Sequence, residues 1–96
     1  MNDGKTNEFI DKMYYEDHYV IFNKEKYFVN GCQTKMAPDG STLSVRLEVY
    51  NLTQNTTVFS TTKLSASECV SAFEDAPIWG GKTFWDAERN IQWVDE

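Results

Sequence analysis

Few side chains in this sequence are of a type and spacing that could do chemistry together. His18 is the sole histidine, so it is the one side chain suited to taking a proton from a serine, threonine or cysteine near neutral pH. It stands where a helix-like segment gives way to a strand-like one, which reads as a boundary position and not as a general base. The serines and threonines fall in strand-like runs and at helix caps. Gly80-Gly81-Lys82-Thr83 has the outline of the end of a phosphate-binding loop, but the residues five before Gly80 and Gly81 are Asp75 and Ala76, where a glycine is required. Cys32 and Cys69 are far apart, and with one histidine they fall short of the four closely spaced ligands of a structural zinc site. No metal, no cofactor and no catalytic residue is expected, and the chain does not read as an enzyme.

The remaining polar candidates are carboxylates. Glu74 and Asp75 are adjacent on a predicted helix, so they point in different directions and do not converge on one atom. Asp86 and Glu88 sit in a second short acidic segment. Three tryptophans lie among these acids. Trp79 precedes Gly80-Gly81, which would expose it or let it swing, and it reads equally as core or as a binding anchor, whereas Trp85 and Trp93 are expected to complete a thin core. Aromatic anchors amid charge are typical of binding surfaces, so Glu74, Asp75, Trp79, Asp86 and Glu88 form the candidate binding set.

The elements that must position them follow from periodicity. Phe9, Ile10, Met13 and Tyr14 give residues 6–14 one apolar face, hence a short helix with Thr6 or Asn7 as its cap. Residues 19–22 and 27–36 read as a first hairpin, with Gly31 marking a bulge or a close backbone approach. Ala37-Pro38-Asp39-Gly40 is a strong turn. Leu43, Val45, Leu47 and Val49 alternate with polar residues in a strand with one buried face. Residues 56–63 return from it, with Val49 facing either Val58 or Phe59; the second pairing implies a three-residue loop with Asn55 at positive φ. Ser65 and Glu68 form a capping box ahead of Cys69, Ala72, Phe73 and Ala76, so a helix runs over residues 65–76 and ends near Pro77. Thr83 opens a helix of two turns to about Asn90. Residues 91–94 are either a short strand or a helix end.

The whole reads as a single α+β domain over residues 1–96, with residues 1–5 as a loose lead. It has a short N-terminal helix, a four-stranded antiparallel meander, and two C-terminal helices packed on one sheet face. A hydrophobic content of 41% is enough for such a core. The net charge of −6 is uneven, with −1 over residues 1–64 and −5 over residues 65–96. Clustered lysine and arginine are lacking, so direct nucleic-acid binding is not expected, and a basic protein surface is the better partner. No run is long and apolar enough to span a membrane. The polar start, without a signal-like apolar core, points to the cytoplasm, where both cysteines would be reduced and the Asn51-Leu52-Thr53 and Asn55-Thr56-Thr57 triplets unmodified.

The C-terminal half carries a hairpin with an Asn-rich turn, a Ser/Glu-rich entry, a helix containing Val70-Ser71-Ala72-Phe73, and an aromatic, acidic second helix. In this it resembles the small acidic phage proteins that inhibit CRISPR nucleases. The resemblance implies a DNA mimic of phage or mobile-element origin whose carboxylates, here Glu74, Asp75, Asp86 and Glu88, occupy a basic site. It departs at residues 80–85, where Gly80-Gly81-Lys82-Thr83-Phe84-Trp85 replaces a dense acidic run. The alternative reading is an assembly module that self-associates as a homodimer, through an exposed strand or the aromatic region around Trp79.

Overall fold

The computed structural model describes Met1 and residues 4–94; Asn2 and Asp3 of the expected lead, and Asp95 and Glu96, lie outside the described residues. Helix α1 (Thr6–Lys12) is followed by strands β1 (His18–Phe22), β2 (Glu25–Met36), β3 (Thr42–Asn51) and β4 (Thr56–Lys63), then by α2 (Ala66–Asp75), α3 (Phe84–Ala87), a 3-10 turn (Glu88–Asn90) and β5 (Ile91–Val94). The sheet has five strands in the order β4-β3-β2-β1-β5, and every pairing is antiparallel. The expected four-stranded meander is therefore completed by a fifth strand. Residues 91–94 return across the molecule to pair with β1, setting Tyr19 opposite Val94 and Phe22 opposite Ile91.

The two C-terminal helices are also not both laid on the sheet. Helix α2 lies over β3 and β4, whereas α3 packs on α2. Helix α3 is a single turn that tightens into the 3-10 turn, because Ile91 already adopts the extended backbone of β5. The caps are side chains named by the sequence: Ser65 accepts the Glu68 N–H at 3.3 Å and Thr83 accepts the Asp86 N–H at 3.4 Å. Helix α1 has no side-chain cap; the Thr6 hydroxyl instead donates to the Glu88 carboxylate at 2.9 Å. Met1 is buried, so the expected lead is packed at its first residue.

Turn chemistry fixes the register. Asn23 and Lys24, both at positive φ, join Phe22 to Glu25 as a two-residue turn whose twist matches the strands. Asp39 Oδ1 accepts both the N–H and the hydroxyl of Ser41, and Gly40 takes φ 90°. Between β3 and β4, Val49 pairs with Phe59, one of the two registers the sequence allows. A bulge at Val58 then sets Tyr50 opposite Thr57 and Asn51 opposite Thr56, so the loop spans residues 52–55, with Asn55 at φ 58°. Phe59 thereby packs edge-on against Phe73 of α2, with ring centroids 6.4 Å apart. Leu43, the first apolar residue of the β3 alternation, is exposed, because β4 ends opposite Val45 and gives it no neighbour.

One face of the sheet is covered. Val20, Tyr27, Val29, Val45, Leu47 and Val49 meet Phe9, Met13, Cys69, Val70, Phe73 and Phe84 from the helical layer. The phenylalanines tie the three helices together, with Phe84 lying 5.3 Å from Phe73 and 5.8 Å from Phe9.

Gly31 is both a bulge and a close approach. Gly31 and Cys32 intervene between the Asn30–Glu48 and Gln33–Arg46 pairs. The segment leaving α1 crosses here: the Gly31 N–H donates to Asp17 Oδ1 at 2.8 Å and the Cys32 N–H donates to the Met13 carbonyl at 3.0 Å. A Cβ at position 31 would lie 2.6 Å from the Glu16 carbonyl oxygen. Gly31→Ala is therefore expected to lower stability by about 1–3 kcal/mol, the usual cost of overpacking. The urea midpoint measures it, and an unchanged midpoint would mean that the segment does not rest on the bulge.

Candidate functional site

Helices α2 and α3, which carry acidic candidates, pack on each other, and Glu74 and Trp85 meet across their junction. Trp85 is on the outer side of α3 and is 48% exposed, because the inner side of that single turn is taken by Phe84 and Ala87. Its indole N–H donates to Glu74 Oε2 at 2.5 Å, which fixes the exposed ring against the end of α2. Asp75, the last residue of α2, is exposed, as is Asp86 in the first turn of α3. Asp86 complements the positive end of its helix. Glu74 and Asp75 do the reverse: they stand at the negative end of α2, in a last turn without a basic residue. Such placement costs roughly 0.3–1 kcal/mol per charge, so helix stability does not account for them.

Two members of the predicted set belong elsewhere. Trp79 is 1% exposed. Gly80 and Gly81, at φ 65° and 83°, do not free it. They form a tight turn in which Trp79 and Lys82 exchange backbone hydrogen bonds at 3.2 Å, and this folds the indole inward. The ring lies 5.1 Å from Tyr27, 5.6 Å from Phe22 and 6.2 Å from Phe73, and its Nε1 has no hydrogen-bond partner among the described residues. Trp79 is thus core, one of the two readings its sequence left open, and Trp85 is surface, against expectation. Trp93, as expected, packs against the core. Glu88 ties the start of the chain to the helical layer, accepting from the Met1 ammonium at 2.7 Å and from the Thr6 hydroxyl at 2.9 Å. These hydrogen bonds hold its carboxyl below the usual range, the ammonium having the larger effect. Gly80-Gly81-Lys82-Thr83 is a turn and a helix cap.

His18, expected at a surface or boundary, is buried as the first residue of β1. Its ring lies 5.1 Å from both Phe9 and Trp93, and Nε2 has no hydrogen-bond partner among the described residues. Asp17, its neighbour, spends Oδ1 on the Gly31 N–H. Burial pushes the His18 pKa down from its ordinary value, partly opposed by the charge of Glu16. Cys69 donates its thiol to the Val45 carbonyl at 3.2 Å. Both cysteines are free thiols, and burial, reinforced by Cys69, pushes Cys32 up to about 11. Among the described residues no group of three His, Cys, Asp or Glu is placed to hold a metal ion, and no helix is long and apolar enough to cross a membrane.

No family model, curated protein or solved structure matches this chain.

The His18 environment sets a pH dependence. The folded chain favours the neutral ring, while the unfolded chain takes up a proton near 6.5. The stability linked to His18 is thus complete above that value and falls as the pH drops below it. The urea midpoint of the wild type should decline from pH 7.5 toward about pH 5.5, and His18→Phe should flatten that decline. A wild-type profile as flat as the variant's would show that the ring is not held neutral.

Proposed function

We propose that this protein is a non-enzymatic binding protein that engages a basic protein surface through the α2–α3 junction. Trp85 would be its anchor, and Glu74, Asp75 and Asp86 its charged rim. The observation that carries this reading is the exposed indole, held by Glu74 beside carboxylates that their own helix does not favour. A pre-oriented aromatic loses little entropy on binding, and a rim of one sign steers an oppositely charged partner. The resemblance to acidic phage inhibitors of CRISPR nucleases supports the same reading and adds a partner class, a protein whose basic site reads nucleic acid. An inhibitor of that kind acts by occupying the site.

Capture from a host lysate, with the wild type and variants as baits, tests this. The wild type should retain a basic protein that raised salt releases. Trp85→Ala should weaken capture by about 30-fold, the size of an anchor worth about 2 kcal/mol. Asp75→Lys combined with Asp86→Lys should abolish it. Equal capture by wild type and both variants would overturn the reading.

A second reading has its own observation. Strand β4 is an edge strand of 8 residues with neither charge nor proline from Thr56 to Thr62. Strands with such unprotected edges invite pairing, here with β4 of a second copy. Sedimentation at high concentration should then show a dimer that Ser60→Pro dissociates, and a monomer there would remove this reading.

A further inference from the structure

The described helices all lie on one face of the sheet, and the register shows what the other face presents. Val94, Tyr19, Phe28, Tyr50 and Thr57 are successive cross-strand partners, so one row crosses all five strands and has three aromatic rings at its centre. The Tyr19 and Phe28 ring centroids are 5.1 Å apart, and the Tyr50 hydroxyl is bonded to Asn55 Oδ1. Lys26 flanks the row with its Nζ 4.7 Å from the Tyr19 ring centroid. On the other side, toward the β2–β3 turn, lies a shallow depression of about 370 Å³ lined by Gln33, Thr34, Lys35, Ser44, Arg46 and Thr62. Its lining has two cations, the hydroxyls of Ser44 and Thr62, and an amide, and no carboxylate; Thr34, opposite core Val45, lines it from the backbone. Among the described residues this face carries Lys26, Lys35 and Arg46 against Glu48, whose carboxylate engages Arg46 Nε at 2.5 Å. In a chain of net charge −6 this leaves a local excess of base on the face, although six of the nine lysines and arginines lie elsewhere.

From these features we infer that the uncovered sheet face binds single-stranded nucleic acid. Bases would stack on the Tyr19–Phe28–Tyr50 row, and phosphates would meet the hydroxyls and cations of the Lys35–Arg46 depression. Stacking on sheet aromatics tolerates any base, because each base has a π face, and a few cations suffice to hold the backbone. The low overall basicity that argues against direct nucleic-acid binding is a property of the whole chain; on this face the balance among the described residues is positive. A membrane or an apolar partner would leave the hydroxyl-lined depression unused. The inference is independent of the acidic α2–α3 junction, which the sheet separates from this face.

Fluorescence anisotropy of labelled oligothymidylate and oligouridylate of about fifteen nucleotides, titrated with the intact chain at low salt, tests it. Saturable binding of either oligomer is expected, with an affinity that falls as salt rises at a log–log slope of about −2. Tyr50→Ala should weaken binding about tenfold. The double variant Lys35→Glu, Arg46→Glu alters exposed side chains only, and should weaken it at least as much while circular dichroism stays that of the wild type. Asp75→Lys with Asp86→Lys should not weaken it. Failure of both oligomers to bind would overturn the inference, as would binding indifferent to the Lys35/Arg46 reversal. A dimer that Tyr50→Ala dissociates would assign the face to a second copy and overturn it too.

Discussion

A peptide segment that passes within 2.6 Å of where a side chain would begin leaves room for glycine alone, and the organisation of the N-terminal half rests on that contact. Residues 13–17 can cross β2 because position 31 has no Cβ and because the bulge turns two N–H groups toward them. The crossing seats α1 on the covered face. That in turn brings Phe9 between His18, Trp93 and Phe84, and Phe84 carries the contact on to Phe73 of α2. The helical layer is thus continuous through aromatic rings, although α1 itself is 7 residues long and too short to persist alone.

Much of this was legible where local chemistry and periodicity agree. The alternation of Val45, Leu47 and Val49, the Pro38-Asp39-Gly40 turn and the Ser65 cap each specify their element within a few residues. The fifth strand was less legible, since four alternating residues do not decide between strand and helix end. What decides is β1, far away in sequence, whose second edge is otherwise unpaired. The bulge at Val58 was hidden for a similar reason, because nothing in the Thr-Thr-Val-Phe run marks which residue is surplus.

The tryptophans show where composition misleads. Two glycines after Trp79 suggest freedom, yet positive φ at both closes a turn that drives the ring inward. Trp85 follows a buried Phe84 on a helix of one turn, which has a single inner side and no place on it for a second large ring. Charge misleads in the same way. The balance of the chain is a sum over both sides of a thin molecule, and it does not register that Lys26, Lys35 and Arg46 share the face the helices leave open. Of the candidate acids, Glu74 holds Trp85 across the α2–α3 junction, Asp75 and Asp86 are exposed on the same two helices, and Glu88 faces the N-terminal segment.

The pairing of β1 with β5 also bears on the order of folding. Strands β1 to β4 are joined by short turns, so that part of the sheet can zip up locally and fast. The last pair joins residue 19 to residue 94 and must close a loop that contains both later helices. Such long-range closure slows folding. Until it occurs, β1 is an open edge and the Phe9–His18 pair lacks its Trp93 wall. The β1–β5 pair is thus the sheet contact that ties the two ends of the described chain together, and it closes the Phe9–His18–Trp93 cluster as it forms.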